Sequence, residues 1–222
     1  MDNFEIVISK LLKDKNPNMA LGTIVCRVDN TKFNKLLWDE IEKTSQQVKD
    51  NYTIETIKTN PQIAATRNMY LACGKKPGRY RPSAEALMRR IVKGESLYKI
   101  NTLVDLINLL SLKTGYSIGG FDVDYMVGNV EAGIGAEGEH YEGIGKGKLN
   151  IHNLPILRDE KGGIGTPTSD EVRTAIRLDT KRFFMNINGY TGKDDLMPAL
   201  DYARLLLQKY VNAHDIVVRV IE

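Results

Sequence analysis

The ten residues from Gly165 to Thr174, G-T-P-T-S-D-E-V-R-T, gather the side chains best suited to chemistry in this chain. Threonine and serine hydroxyls flank a glycine–proline turn, and Asp170 and Glu171 follow at once. Such a turn either lines a polar pocket with its amides and hydroxyls or spends them on capping itself. Other reactive patterns do not hold up. Gly133-Ile134-Gly135-Ala136-Glu137-Gly138 has G-x-G-x-x-G spacing, but that spacing grips a pyrophosphate only between a strand and a helix. Here Glu139-His140-Tyr141-Glu142-Gly143 follows, which does not open a helix. Gly145-Lys146-Gly147 lacks the hydroxyl residue after the lysine that a P-loop needs. His140, His152 and His214 are scattered, and neither C-x-x-C nor H-E-x-x-H occurs. No metal and no cofactor is expected on these grounds. No G-x-S-x-G elbow is present. Catalytic groups far apart in the chain and assembled by folding stay open.

A second feature is charge. Between Lys75 and Lys99 stand eight basic residues (Lys75, Lys76, Arg79, Arg81, Arg89, Arg90, Lys93, Lys99) against Glu85 and Glu95, a local +6 in a chain whose total is +3. The remainder is therefore mildly acidic. A basic segment on an acidic body reads as a phosphate footprint. It reads equally as a solvated helix, because Arg89, Arg90 and Lys93 fall in a last turn where cations suit the helix dipole.

The elements that must position these groups follow from periodicity. Phe4–Ile8 alternates as a strand, and 20–28 reads as a buried one. Residues 31–50 and 63–73 look helical, the second closed by Gly74. A loop over 75–82 turns at Pro77-Gly78, and Ser83 is placed as the N-cap of the next helix, which ends at Gly94. A nearly all-apolar helix over 101–113, closed by Gly115, carries Asn101, Asp105 and Asn108 on one face. Those three read as hydrogen-bonding groups in a buried setting, in competition with a solvated face or a ligand contact. After Tyr116 short apolar stretches alternate with glycine, with seven glycines from Gly128 to Gly147. Residues 172–178 and 182–187 are expected to pair as strands. A helix over 194–212 and a strand over 216–221 close the chain. Helices first and strands second argue α+β.

Composition sets the frame. The chain has 222 residues, 42% hydrophobic and 27% charged, enough for a large core without staples. Two cysteines exclude a disulfide scaffold and fit a reduced, cytoplasmic setting. No apolar run reaches the roughly 20 residues of a membrane span, and the acidic N-terminus is no signal peptide. A single domain is expected over 1–222, with a strand and helix extension over 1–60, a core over 62–190 and a C-terminal helix and strand over 191–222.

The run from Ser83 to Asp122 narrows this further. It reads S-A-E-A-L-M-R-R-I-V-K-G, then I-N-T-L-V-D-L-I-N from Ile100 to Asn108, then G-G-F-D from Gly119 to Asp122. With Gly138-Glu139 and the glycine-rich turn after Gly163, this resembles the B3/B4 domain of the phenylalanyl-tRNA synthetase β subunit. It is most similar to free-standing versions with R-Y-R-P-S (Arg79–Ser83) and G-T-P-T-S-D in the turn. The resemblance implies a β-sandwich of unusual topology with packed helices. It also implies a pocket for the misacylated 3′ end of tRNA, with hydrolysis of the aminoacyl ester in trans. Glu139 and Asp170 would orient or deprotonate the water. Gly119, Gly120, Asp122, Gly165, Thr166, Thr168 and Ser169 would line the pocket, and Lys75, Lys76, Arg79, Arg81, Arg89, Arg90 and Lys93 would meet the RNA. The implied hollow is sized for an aromatic acyl group and flanked by a cationic shelf. The family's histidine in H-A-F-D is replaced by Gly119, so a non-catalytic module that binds RNA or an amino acid is the alternative. The chain is too short to hold an aminoacylation module as well.

Overall fold

The computed structural model describes residues 4–222. Eleven strands and six helices are found among these residues. In chain order they are β1 (Ile6–Ile8), α1 (Lys10–Lys15), β2 (Ala20–Arg27), α2 (Lys35–Asn51), α3 (Pro61–Ala72), α4 (Ser83–Val92), α5 (Thr102–Thr114) and β3 (Ile118–Asp122). Then come β4 (Val130–Ile134), β5 (His140–Gly143), β6 (Gly147–Asn150), β7 (Pro155–Asp159), β8 (Gly162–Thr166), β9 (Ser169–Asp170), β10 (Arg182–Gly189), α6 (Leu196–Val211) and β11 (His214–Ile221).

Two sheets form a sandwich, with order β1-β4-β7-β8-β9 in one and β11-β2-β10-β3 in the other; β5 and β6 make a separate hairpin. The four-stranded sheet is covered on both faces, which explains the unbroken apolar runs of β2 and β10. Alternation along β10 divides them. Phe183, Met185 and Ile187 turn toward the helical layer, where Leu103, Leu106, Leu200 and Leu207 also pack. Phe184 turns the other way, stacks on Phe121 at 5.6 Å and joins Val130, Ala132, Leu157 and Ile164 of the opposite sheet. The first sixty residues supply β1, paired in parallel with β4, and β2, an interior strand between β11 and β10.

On the polar face of α5, Asn101 and Asp105 are satisfied from within, while Asn108 is half-buried and its side chain forms no hydrogen bond among the described residues. Asn101 caps the helix by accepting from the Val104 amide at 3.0 Å, a contact worth about 1 kcal/mol. Asp105 accepts from the Ile100 amide at 3.1 Å and from the Trp38 indole at 2.7 Å. Gly115 closes the helix at φ +78°, a conformation that side chains resist.

Two expectations are corrected, and one element is added. Ser83 is the first helical residue and Pro82 the cap, because the Ser83 amide donates outward to the Pro167 carbonyl at 2.7 Å. Residues 172–178 do not form a strand paired with β10, whose two neighbours are β2 and β3. The segment touches the sheets only at isolated bridges, such as Ala175 with Phe121, and is held by side chains instead. Arg173 grips both Asp159 oxygens at 2.8 and 2.9 Å and the Tyr125 carbonyl at 2.9 Å. Finally, α1 is a short helix that periodicity over six residues does not reveal.

Candidate functional site

The two sheets meet where β3 of one approaches β9 of the other. There the Gly120 amide donates to Asp170 Oδ2 at 3.2 Å. Gly119, Gly165, Thr166, Asp170 and Asn186 line a small cleft at this junction. Its free space is about 10 Å³, room for roughly one water. The expected hollow for an aromatic acyl group is therefore corrected: side chains of the protein fill it.

Glycine is required at two of these positions. A Cβ at Gly119 would stand 2.2 Å from Asn186 Oδ1, and one at Gly165 would stand 2.6 Å from Asp170 Oδ1. The bare backbone lets both polar ends reach the junction. Asn186 lies on β10, is 1% exposed, and its Nδ2 has no hydrogen-bond partner. A buried, unmatched donor is costly to keep. Its signal in the sequence was a polar residue inside F-F-M-N-I-N-G, an otherwise buried run.

Asp170 is the second unusual group. Burial pushes its carboxyl up to about 7, and the one bond from the Gly120 amide offsets that only in part. It thus exchanges a proton near neutral pH, as a general base must. Thr166 is committed elsewhere. Its hydroxyl donates to the Ser169 carbonyl at 3.0 Å and accepts from the amides of Thr168 and Ser169, so this turn does cap itself. Tyr141 OH also donates to it at 3.2 Å.

These strands and helices form a unit that family comparison recognises: the model of the B3/4 domain matches residues 65–211, about two thirds of the chain. This chain belongs to the B3/4 domain family. The match runs beyond Tyr190 through α6. Among solved structures, this B3/4 domain is similar to an N-terminal fragment of the phenylalanyl-tRNA synthetase beta subunit from Pyrococcus horikoshii. The identity is 14%, the TM-score 0.46, and the alignment covers 99% of this chain and 51% of that one. This chain thus spans about half the length of that fragment. No curated protein matches the chain.

Other residues singled out in the sequence stand apart from the cleft of this B3/4 domain. Glu139 faces Arg158 at 2.9 Å and the Ala136 amide at 2.7 Å. Asp122 caps the turn after β3, accepting from the Asp124 amide at 3.1 Å and from Thr180 Oγ1 at 2.7 Å. Thr168 shares a 2.9 Å hydrogen bond with Tyr70, and Ser169 Oγ donates to the Ile144 carbonyl at 3.1 Å. Burial pushes Cys26 up to about 12 and Cys73 up to about 11, so neither thiol is a nucleophile at neutral pH. Among the described residues, no three His, Cys, Asp or Glu side chains gather as metal ligands, and no helix is long and apolar enough to cross a membrane.

The basic segment splits into two groups. Glu85, 1% exposed, carries Arg67 at 2.9 Å, Arg89 at 2.8 Å and Arg81 at 3.7 Å. Three guanidiniums on one carboxylate keep a local charge of +2. Arg90 is tied to Glu95 at 2.8 Å and lies over the Tyr98 ring. Lys75 donates to the His152 carbonyl and lies over Tyr80. Lys76, Arg79 and Lys93 are exposed and take part in none of these ion pairs. The shelf is thus partly neutralised from within. Its arginine cluster also adjoins the cleft turn, because the Ser83 amide beside Arg81 holds the Pro167 carbonyl.

Proposed function

We propose that this B3/4 domain binds the aminoacylated 3′ end of tRNA and hydrolyses the ester, with Asp170 as the base. One observation carries the reading. A carboxyl that exchanges its proton near pH 7 and an unmatched carboxamide converge on a space for one water. Asn186 orients that water by donating to its oxygen, and the Asp170 carboxylate takes one of its protons. The oxygen attacks the ester carbonyl carbon of an acyl group lying across the cleft mouth. The bond to the ribose oxygen breaks, and Asp170 returns the proton to that oxygen. Free amino acid and deacylated tRNA leave. A base of this kind contributes roughly 10²–10⁴-fold, and orientation of ester and water adds more. The +2 arginine cluster with Lys76, Arg79 and Lys93 attracts the RNA backbone, in a way that weakens as salt rises. The tRNA part of the reading rests on family membership and on this charge. Glu139 is left to its partner Arg158.

A second reading has its own support. The small cleft and the lack of a side chain at Gly119 favour a module that binds RNA or an amino acid without turnover. Both readings are tested by incubating the pure protein with a panel of misacylated tRNAs, beside binding measured across a salt series. Deacylation that falls at least about 100-fold in Asp170→Asn supports the first. Salt-dependent binding with no turnover selects the second. Neither binding nor turnover removes tRNA as a partner.

A further inference from the structure

Away from the cleft, a larger cavity of about 380 Å³ opens between α2 and the loop that leaves α4. That volume lies in the range of small-molecule sites. Its floor is apolar and buried: Trp38, Ile41, Ile91 and Leu97. Its rim is polar and carries Glu42, Lys49, Glu95 and Lys99, of which Glu95 is spent on Arg90. Glu42 is exposed and forms no salt bridge among the described residues. Lys99 rests its ammonium between two rings, 4.9 Å from Trp38 and 5.0 Å from Phe33. The Trp38 indole is itself locked by its bond to Asp105, so the floor is rigid.

The signs of the Glu42 and Lys99 charges define the ligand. Trp38, beneath Lys99, and Glu42 are one helical turn apart, about 6 Å along the axis. A site with the Glu42 carboxylate and the Lys99 ammonium on the rim of an apolar floor suits a small zwitterion with an apolar body. A nucleotide would bring its phosphate against Glu42, and a plain hydrocarbon would leave both charges idle. We infer that the groove between α2 and the 94–99 loop binds a free α-amino acid with an apolar or aromatic side chain. Its ammonium pairs with Glu42, its carboxylate pairs with Lys99, and its side chain lies on Ile41, Ile91 and Leu97. The inference is independent of the cleft and of tRNA.

Trp38 is the single tryptophan of the chain, so its emission reports this groove alone. The test is a fluorescence titration of the full chain with L-phenylalanine and L-leucine. A saturable change is expected. N-acetyl-phenylalanine and phenylalaninamide, each lacking one charge, should bind about tenfold more weakly. Glu42→Gln should lose about the same factor for the amino acid and nothing for the N-acetyl form. Ser45→Phe, which fills the groove from α2, should abolish the change, while circular dichroism reports that the fold is kept. Asp170→Asn should leave the titration unmoved, which separates this site from the cleft. Absence of a saturable change with any apolar amino acid overturns the inference. So does a response to adenosine monophosphate with none to amino acids, or a Glu42→Gln titration equal to that of the parent.

Discussion

Asp159 ends β7 and Asp170 ends β9, with β8 between them in one sheet, yet the two carboxyls are shifted in opposite directions. For both, burial is the largest influence and pushes the carboxyl up. Asp159 answers it with a bidentate Arg173 and with the amides of Val127 and Lys161, and ends below the ordinary range. Asp170 has one amide, that of Gly120, and ends at about 7. Burial alone therefore does not mark a reactive acid; burial without partners does. The comparison separates a carboxylate that holds a segment in place from one free to handle protons.

The sharpest way to break it is to take away Arg173. Arg173→Met leaves the buried Asp159 carboxylate with two amides and no counter-charge and should cost about 3–5 kcal/mol at pH 7, measured by urea unfolding. The folded Asp159 carboxyl sits below its unfolded value near 3.8. Its stabilisation is therefore present above that value and lost as pH falls through the lower, folded one. The penalty of the variant should accordingly shrink toward low pH. An unchanged penalty from pH 7 to pH 3 would show that Arg173 acts through packing.

Asp170→Asn should do the reverse. An acid whose folded pKa is raised costs nothing below the unfolded value, costs progressively more as pH climbs toward about 7, and costs a constant amount above that. The shift from 3.8 to about 7 corresponds to about 4 kcal/mol. The variant should be more stable than the parent by up to that amount at pH 8 and equal to it at pH 4. A parent and variant with parallel stability curves would place the carboxyl in the ordinary range.

Gly119→Ala tests how the cleft is packed. The added methyl meets Asn186 Oδ1 and the Phe121 ring, and overpacking of this kind costs about 1–3 kcal/mol in thermal or chemical unfolding. Neutral behaviour would mean that Asn186 moves aside freely. The smallest expected effect separates the two kinds of basic residue. Arg79→Ala should change stability by less than about 0.5 kcal/mol while lowering the salt slope of tRNA binding by about one unit. Arg89→Ala, which releases buried Glu85, should destabilise the protein well beyond that.

Much of this was legible in the residues. The strands β2 and β10, the helices α2 to α6, the cap at Gly115, and the motifs within the run from Ser83 to Asp122 each depend on patterns shorter than twenty residues. Asp170 and Thr166 also stood out, because a hydroxyl-rich glycine–proline turn is a local feature. The segment after Glu171 misled, since an alternating pattern does not reveal that Arg173 has a buried partner on β7. Asn186 was passed over because a single asparagine in a strand carries no sign of what faces it. The basic run looked like an open shelf because Glu85 gives no hint in sequence that three arginines close on it.

The sequence by itself determined the α+β class, the family and the positions of the turns, because these follow from local periodicity, capping and a motif whose spacing is written along the chain. Tertiary structure decided which carboxylate is left without partners, how small the cleft is, and which cations still face water. Those properties depend on distances between strands far apart in order. A carboxyl's proton affinity and a cavity's volume are set by what folding brings alongside, and no stretch of the chain holds that information alone.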